Sequence, residues 1–415
     1  MARGSRAALK NGPRDRMSLS IAAQNLARVV WNRTAKLYRR GRHWTLRRQK
    51  DMRETGKHAR AQVKLGHERG RDAAQVAYSG VVRTSRYWDR IRRRTWPAIS
   101  RDIAARRALR AAAAGSDPIM VGPWLSEVGY EALYWLPFVR WFTRHYDVDP
   151  ERIVVVSRGG VAAWYAGIAS RYVEQFDLFT LEEFAARNDA RRGDADQKQL
   201  ALSDFDEEIL SRARVRLGID RAAVCHPSTM FRLMRQFWLG NDSLQTVLEY
   251  TEYEPIAAFA DVALPKLPDR FVAIKFYTGR ALMDTPAHRH QLRRLVERIG
   301  RRHPIVALNT NLSLDEHADY VFQGVPGLVT LDGWMAPQNN LAVQTEVIRR
   351  ATRFVGTCGS LAWLAPMLGT DTLAIYADDH FLTPHLYAAR HAYGSMEAAR
   401  FTPMDLAVLT NFDLE

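Results

Sequence analysis

The stretch Phe354–Met367, FVGTCGSLAWLAPM, reads as a strand end, a tight Gly/Thr/Ser loop and a helix that begins at or just after Ser360. Exposed amides at such a turn, with the positive end of the helix dipole behind them, favour an anion of the phosphate type. Gly359 lets the backbone come close to that anion, and the hydroxyls of Thr357 and Ser360 add donors. A second reading fits the same residues: Ser360 caps the helix, and Gly356 and Gly359 only turn the chain. The loop is neither a Walker A sequence nor a GxGxxG fingerprint.

The elements that would carry this loop belong to a repeated strand–loop–helix pattern. Before it, Ile119-Met120-Val121 reads as a short strand, a loop runs over 123–130, and a helix follows over 131–145. Arg152–Val156 is a β-branched apolar run of the kind buried on both faces of a parallel sheet. It stops at Ser157-Arg158-Gly159-Gly160, and a helix is expected over 161–170, a strand near 175–180, a helix over 204–218 and a strand over 222–226. A proline-punctuated linker, Leu264–Pro268, precedes a second array. That array has strands at 271–277, 304–309, 328–331 and 353–356, helices over 285–300, 341–351 and 361–368, and a strand at 372–376 that closes the series. The pattern predicts an α/β protein with two Rossmann-like βα domains, 118–263 and 269–415. Their ligand cleft is expected at the carboxyl ends of the strands.

Residues 1–115 differ in kind. Over 1–110 there are 30 Lys+Arg against 7 Asp+Glu, which leaves 30 basic and 38 acidic residues for the remainder of the chain, so the formal net charge of +15 belongs wholly to this segment. Val30, Trp31, Leu37 and Tyr38, and again Val81, Tyr87, Trp88 and Ile91, recur at helical spacing, and a basic N-terminal helical extension follows. It ends at an Ala-rich helix over 103–114 and the linker Gly115-Ser116-Asp117-Pro118. Two cysteines, Cys225 and Cys358, offer neither a disulfide framework nor a zinc quartet and suit a reducing cytoplasm. The first residues lack a signal-peptide core, and no stretch reaches the roughly 18 apolar residues of a membrane span.

The run from Asn340 through Tyr376, a helix followed by VGTCGSLAWLAPMLGT, resembles the donor half of GT-B glycosyltransferases, in particular bacterial sugar transferases and fucosyltransferase-like enzymes. GPWLSEVGYEALYWLPFVRW resembles the first strand–loop–helix of bacterial polysaccharide glycosyltransferases. The resemblance implies a nucleotide-sugar co-substrate and no tightly bound metal or other cofactor. The leaving diphosphate would be neutralised by amides and cations. It also implies a saccharide or lipid-linked acceptor, bacterial surface-polysaccharide synthesis, and a cytoplasmic protein at the inner face of the plasma membrane.

Under that reading Lys275, inside an apolar strand, Arg280 beyond Thr278-Gly279, and Arg158 of the facing domain are the candidate diphosphate ligands. A snorkelling lysine and a solvated turn arginine are the bland alternatives. Glu127, between Trp124 and Tyr130, is the preferred base for an acceptor hydroxyl; Glu131 would only complement a helix dipole, and His226 before Pro227 is a second catalytic candidate. Asn309, Asn311 and Glu346 could meet the nucleoside, although Asx turns and a solvated helix face explain them equally. Asp378-Asp379 fits a solvated loop better than a metal site. An anionic membrane surface, nucleic acid and an acidic protein are the partners open to the basic segment, with the membrane favoured and nucleic acid the weakest. A polysaccharide pyruvyl transferase, a sugar-nucleotide epimerase and a non-catalytic scaffold with a recruiting arm remain alternatives for the whole.

Overall fold

The computed structural model describes residues 102–192, 198–310, 317–397 and 399–411, all within one compact unit, Thr95–Glu415. The basic helices expected over 1–101, and Asn311, lie outside the described residues. No described helix is long and apolar enough to cross a membrane.

The unit is α/β, as the sequence pattern predicts, and contains two parallel sheets. The first joins β1 (Ile119–Val121), β2 (Ile153–Ser157), β3 (Arg171–Glu174) and β4 (Ala223–Cys225) in the order β3-β2-β1-β4. The second joins β5 (Val272–Lys275), β6 (Ile305–Ala307), β7 (Leu328–Thr330), β8 (Arg353–Thr357), β9 (Thr372–Tyr376) and β10 (Phe401–Asp405) in the order β10-β9-β8-β5-β6-β7. The second order is the doubly wound arrangement, and the first sheet is a shorter version of it. In each sheet the chain reverses its direction of travel next to the first strand: between β1 and β4, and between β5 and β8. A crevice opens at such a point because the loops on either side leave in opposite directions.

Local chemistry sets the helix ends. Ser203 and Asp206 form a reciprocal capping box at the head of Asp204–Leu217, which Gly218 closes at φ 64°. Thr285 caps Pro286–Gly300 and His226 caps Pro227–Trp238, each with proline at the first helical position. Three expectations are corrected. The helix expected over 161–170 shrinks to a 3-10 stretch, Val161–Tyr165, after which Ala166 turns extended and Gly167 takes φ 74°. β3 precedes the apolar run 175–180, because Phe176 and Phe179 turn inward onto Phe184 and Phe205 rather than pairing in the sheet. The second sheet closes with β10, which pairs parallel with β9 from Phe401↔Thr372 to Asp405↔Tyr376; its alternation is interrupted by Pro403, an edge-strand residue.

One hydrophobic core runs through both arrays, from Trp124, Trp135, Phe138 and Phe231 to Leu361, Trp363 and Met367. Smaller clusters cover the outer faces of the two sheets. Burying side chains of this size contributes roughly 1.5–3 kcal/mol each. Exposed ion pairs such as Arg144–Glu252 contribute about 0–1 kcal/mol, so the aromatic core dominates. The helix over 102–114, which the sequence groups with the basic segment, buries Ala105, Leu109 and Ala112 in this core, and Arg106 bonds Glu249 and Tyr250.

The connection between the arrays is longer than its prolines suggest. Residues 251–268 form neither helix nor strand. Arg349 holds this coil by donating to the carbonyls of Ile256 (3.0 Å) and Ala258 (2.7 Å), while Glu346 accepts from the amide of Ala260 (2.9 Å). Replacing Arg349 with Met keeps the aliphatic stem and removes two charge-assisted bonds. A loss of roughly 2 kcal/mol is expected, with cleavage within 251–268 accelerated several-fold in limited proteolysis. An unchanged cleavage rate would show that the coil is held by other contacts.

Candidate functional site

The two reversal points meet. Leaving β1, the loop to Glu127 is tied down from several sides: Trp124 donates its amide to Val156 O (3.1 Å), and Arg158 donates to Trp124 O (2.9 Å) and Ser126 O (2.7 Å). Gln199 adds bonds to Leu125 N and Pro123 O, both at 2.8 Å. Glu127 follows as the half-buried residue that precedes the helical turn Val128–Tyr130, with extended backbone and no side-chain cap. Gly129 of that turn lies directly against Ser360: a Cβ on Gly129 would stand 2.7 Å from Ser360 N and 2.7 Å from Trp363 Cδ1. Only glycine permits this approach.

On the other side, Thr357 closes the gap between β5 and β8. Its hydroxyl accepts from the Tyr277 amide (2.9 Å) and lies 3.1 Å from the Tyr277 carbonyl, so it pins the two loops together. Gly359 takes φ 141° with extended ψ, and a Cβ there would meet the Tyr277 hydroxyl at 2.5 Å. Ser360 is the first helical residue, not the cap, and its φ of 39° lies in the left-handed region that serine rarely occupies. The capping alternative for Ser360 therefore does not describe this loop. Strained backbone of this kind persists where surrounding contacts over-determine it, often beside a ligand site.

The expected cations are differently employed. Lys275 pairs with Asp319 (2.7 Å) and donates to Leu308 O (3.0 Å), which supplies the partner that a charge in an apolar strand requires. Arg280 is exposed in the turn Gly279–Leu282. Arg158 is buried beneath the Glu127 loop. The amides of Gly159 and Gly160 beside it already hold an anion, the carboxylate of Glu174, which also accepts from Phe176 N and from the hydroxyl of Tyr172. Burial lifts Glu174 to about 7 in spite of these four donors.

His226 and Glu346 have structural attachments. The His226 ring accepts from Ser228 N (3.2 Å), and its other nitrogen stands 3.4 Å from Asp206 Oδ1, an ion-pair distance without hydrogen-bond alignment. Burial works to raise the Asp206 pKa, but the nearby His226 ring and the bonds from Ser203 outweigh it and keep the group low. Glu346 is buried with its carboxylate on the Ala260 amide. Asn309 donates to Tyr320 O (3.1 Å) near Lys275. Asp378 accepts from the His380 amide in a local turn. Among the described residues no group of three or more His, Cys, Asp or Glu is placed to hold a metal ion.

Sequence reading misses a chain that crosses between the arrays. His385, buried in the helix Thr383–Ser395, lies 3.1 Å from the Tyr130 hydroxyl and 2.7 Å from that of Tyr134. Burial, with the nearby Lys198 charge, pushes His385 down to about 3, so the ring is neutral and one tyrosine donates while the other accepts. Lys198 Nζ stands 4.9 Å from the Tyr130 ring centroid. The four-residue spacing of Tyr130 and Tyr134 could have signalled this only with Tyr130 inside the helix, whereas the sequence pattern ends the loop at Tyr130.

No protein-family model matches the chain, and no curated protein matches it in sequence. Solved structures overlap with it in part. The glycosyl transferase family 9 protein of Veillonella parvula has 11% identity, with 70% of this chain and 86% of that one covered at a TM-score of 0.38. The ADP-heptose LPS heptosyltransferase II of E. coli also has 11% identity, over 65% and 87%, with a TM-score of 0.36. A putative UDP-N-acetylglucosamine 2-epimerase of Listeria monocytogenes has 12% identity, over 69% and 92%, with a TM-score of 0.30. These overlaps are loose, and the reading of the site rests on the chain's own residues.

The close approach at Gly129 is testable. Gly129→Ala should destabilise the protein by about 1–3 kcal/mol in denaturant unfolding, because Ser360 N and Trp363 have to move. Gly394→Ala, at an exposed helical position with nothing within 4 Å, should be neutral or slightly stabilising. Equal behaviour of the two variants would contradict the described contact.

Proposed function

We propose that the protein is a glycosyltransferase that moves a sugar from a nucleotide-sugar donor to a saccharide or lipid-linked acceptor. The supporting observation is the meeting of two reversal points: the turn that follows Glu127 lies, at Gly129, against Ser360, whose backbone is strained, in the loop after β8. In this reading the donor diphosphate lies along the loop after β8, where amides and the Ser360 hydroxyl face developing negative charge. Thr357 and Lys275 shape that loop and the strand beside it, and Arg280, exposed beyond β5, is assigned to the diphosphate. Arg158 acts on the opposite side, by holding the loop that carries the base.

In an inverting transfer, Glu127 takes the proton of the acceptor hydroxyl while the hydroxyl oxygen forms a bond to the anomeric carbon. The bond from that carbon to the diphosphate breaks, and its electron pair leaves with the diphosphate. The reading assigns no resident metal or cofactor, with the nucleotide-sugar as co-substrate. Asn309, which follows β6 and donates to Tyr320 O, is assigned to the nucleoside. The basic segment is assigned to an anionic membrane surface, which would place the enzyme at the cytoplasmic face beside lipid-linked acceptors of a surface polysaccharide.

Calorimetric titration and thermal-shift measurements with UDP-, GDP-, CMP- and ADP-linked sugars test the donor assignment. One nucleotide class should stabilise the protein, and stabilisation by none of them would remove the transferase reading. Turnover without sugar transfer, with epimerised or pyruvylated product, would instead favour the epimerase or pyruvyl transferase. With the active donor, Glu127→Gln should lower kcat by about 10²–10⁴ while leaving donor affinity nearly unchanged. For the basic segment, removal of residues 1–94 leaves Thr95–Glu415 whole and should abolish binding to anionic vesicles at low salt. Undiminished vesicle binding would refute the membrane assignment.

A further inference from the structure

Tyr130 closes the short turn Val128–Tyr130 that follows Glu127. Two bonds tie this turn to Glu127: the amides of Tyr130 and Glu131 both donate to the Glu127 carbonyl, at 3.1 and 3.2 Å. The second array grips the turn at two places. Gly129 lies against Ser360 and Trp363, and the Tyr130 hydroxyl lies 3.1 Å from His385 Nε2 in the helix Thr383–Ser395. A single contact leaves a short turn able to pivot about it, whereas two separated contacts fix its orientation. No step of the proposed chemistry uses His385.

The His385 ring is held in one sense. It is buried, with the Tyr134 hydroxyl 2.7 Å from Nδ1 and the Tyr130 hydroxyl 3.1 Å from Nε2. A hydroxyl donor gives a shorter separation than an N–H donor, so Tyr134 donates to Nδ1 and the Nε2 hydrogen goes to Tyr130. Both tyrosine rings stand edge-on to the imidazole, at 5.0 and 5.6 Å between centroids. Trp238 stands edge-on to the two tyrosines in turn, at 5.5 and 5.1 Å. Burial, helped by the Lys198 charge, keeps the imidazole neutral, so the ring has one donor and one acceptor throughout the ordinary pH range.

We propose that His385 is a positioning residue: with its ring oriented by Tyr134, it donates from Nε2 to the Tyr130 hydroxyl and thereby fixes the turn that follows Glu127. His385 touches no reacting atom in this scheme and acts only through Tyr130. Breaking the bond would strand a buried imidazole nitrogen, a costly state, so the bond persists in the folded chain. The functional consequence rests on Glu127 being the base, yet the state of the turn can be measured without a substrate.

The experiment is hydrogen exchange of the full-length protein at the Tyr130 and Glu131 amides. A glutamine amide reaches as far from the backbone as Nε2 of histidine, and an asparagine amide only as far as Nδ1. His385→Gln should therefore keep wild-type protection, and His385→Asn should lose it several-fold. Tyr130→Phe removes the same bond from the other side and should match His385→Asn, which provides a readout if the histidine variants fold poorly. Nitrogen-15 spectra of the wild type should show a neutral His385 ring protonated at Nε2. Equal protection in the glutamine and asparagine variants, wild-type protection in Tyr130→Phe, or a ring protonated at Nδ1 would overturn the proposal. With the active donor, Tyr130→Phe should lower kcat by roughly tenfold and leave donor affinity unchanged; an unchanged kcat would also remove the role of His385. The expected exchange pattern with no nucleotide bound would sink the transferase reading alone, whereas nucleotide binding with unchanged exchange would sink only the inference.

Discussion

The close approach of Gly129 to Ser360 governs the rest of the molecule. Two helical turns meet nearly backbone to backbone, and a single methyl group on the first would overlap an amide nitrogen of the second. This contact decides which loops share a crevice, because it registers the end of β1 against the end of β8. The stacked rings of Trp124 and Trp135 on one side and the buried Trp363 on the other then complete a continuous core across the seam. With glycine at the contact, the apolar surfaces behind it can close to van der Waals distance, and their burial outweighs the backbone strain stored at Ser360.

Ionisable groups near that seam follow one rule: each buried charge or potential charge has been given neighbours before any ligand arrives. Glu174 fills the glycine amides after β2, Lys275 has Asp319, Asp206 has Ser203 and His226, and His385 lies between two tyrosine hydroxyls. The first-domain loop Ser157–Gly160, although it has the composition of an anion site, is thus internally satisfied. The loop after β8 has no acidic side chain of its own and carries the strained backbone. The two loops thus differ: the one after β2 is closed on an internal carboxylate, and the one after β8 carries a strained backbone.

Much of the fold was legible in the sequence. Apolar β-branched runs located β1, β2, β5, β6, β8 and β9 within a residue or two, since strands covered on both faces must be apolar throughout. The segments that misled were those in which apolar residues serve a turn: Phe176 and Phe179 fill the space under a 3-10 turn instead of joining a strand. β10 was hidden because an edge strand with Pro403 lacks the uniform apolar signal. At the seam it is Gly129, two residues beyond the candidate Glu127, that meets the candidate Ser360. Arg158, Thr357, Lys275, His226 and Glu346 are committed to holding loops, a role that residue type and spacing alone cannot distinguish from ligand contact.

Composition and periodicity by themselves determined that this chain carries a basic segment followed by two βα arrays with glycine-bearing loops at strand ends. Those features depend on local propensity and on the apolar surface each element must hide, both of which are written residue by residue. Tertiary structure decided which loops meet, which acids are buried without full hydrogen bonding, and which cations already have partners. These properties depend on pairs of residues far apart in sequence, Gly129 with Ser360, Lys275 with Asp319, Tyr130 with His385. Their distances are set by packing of the whole unit, which no local pattern encodes.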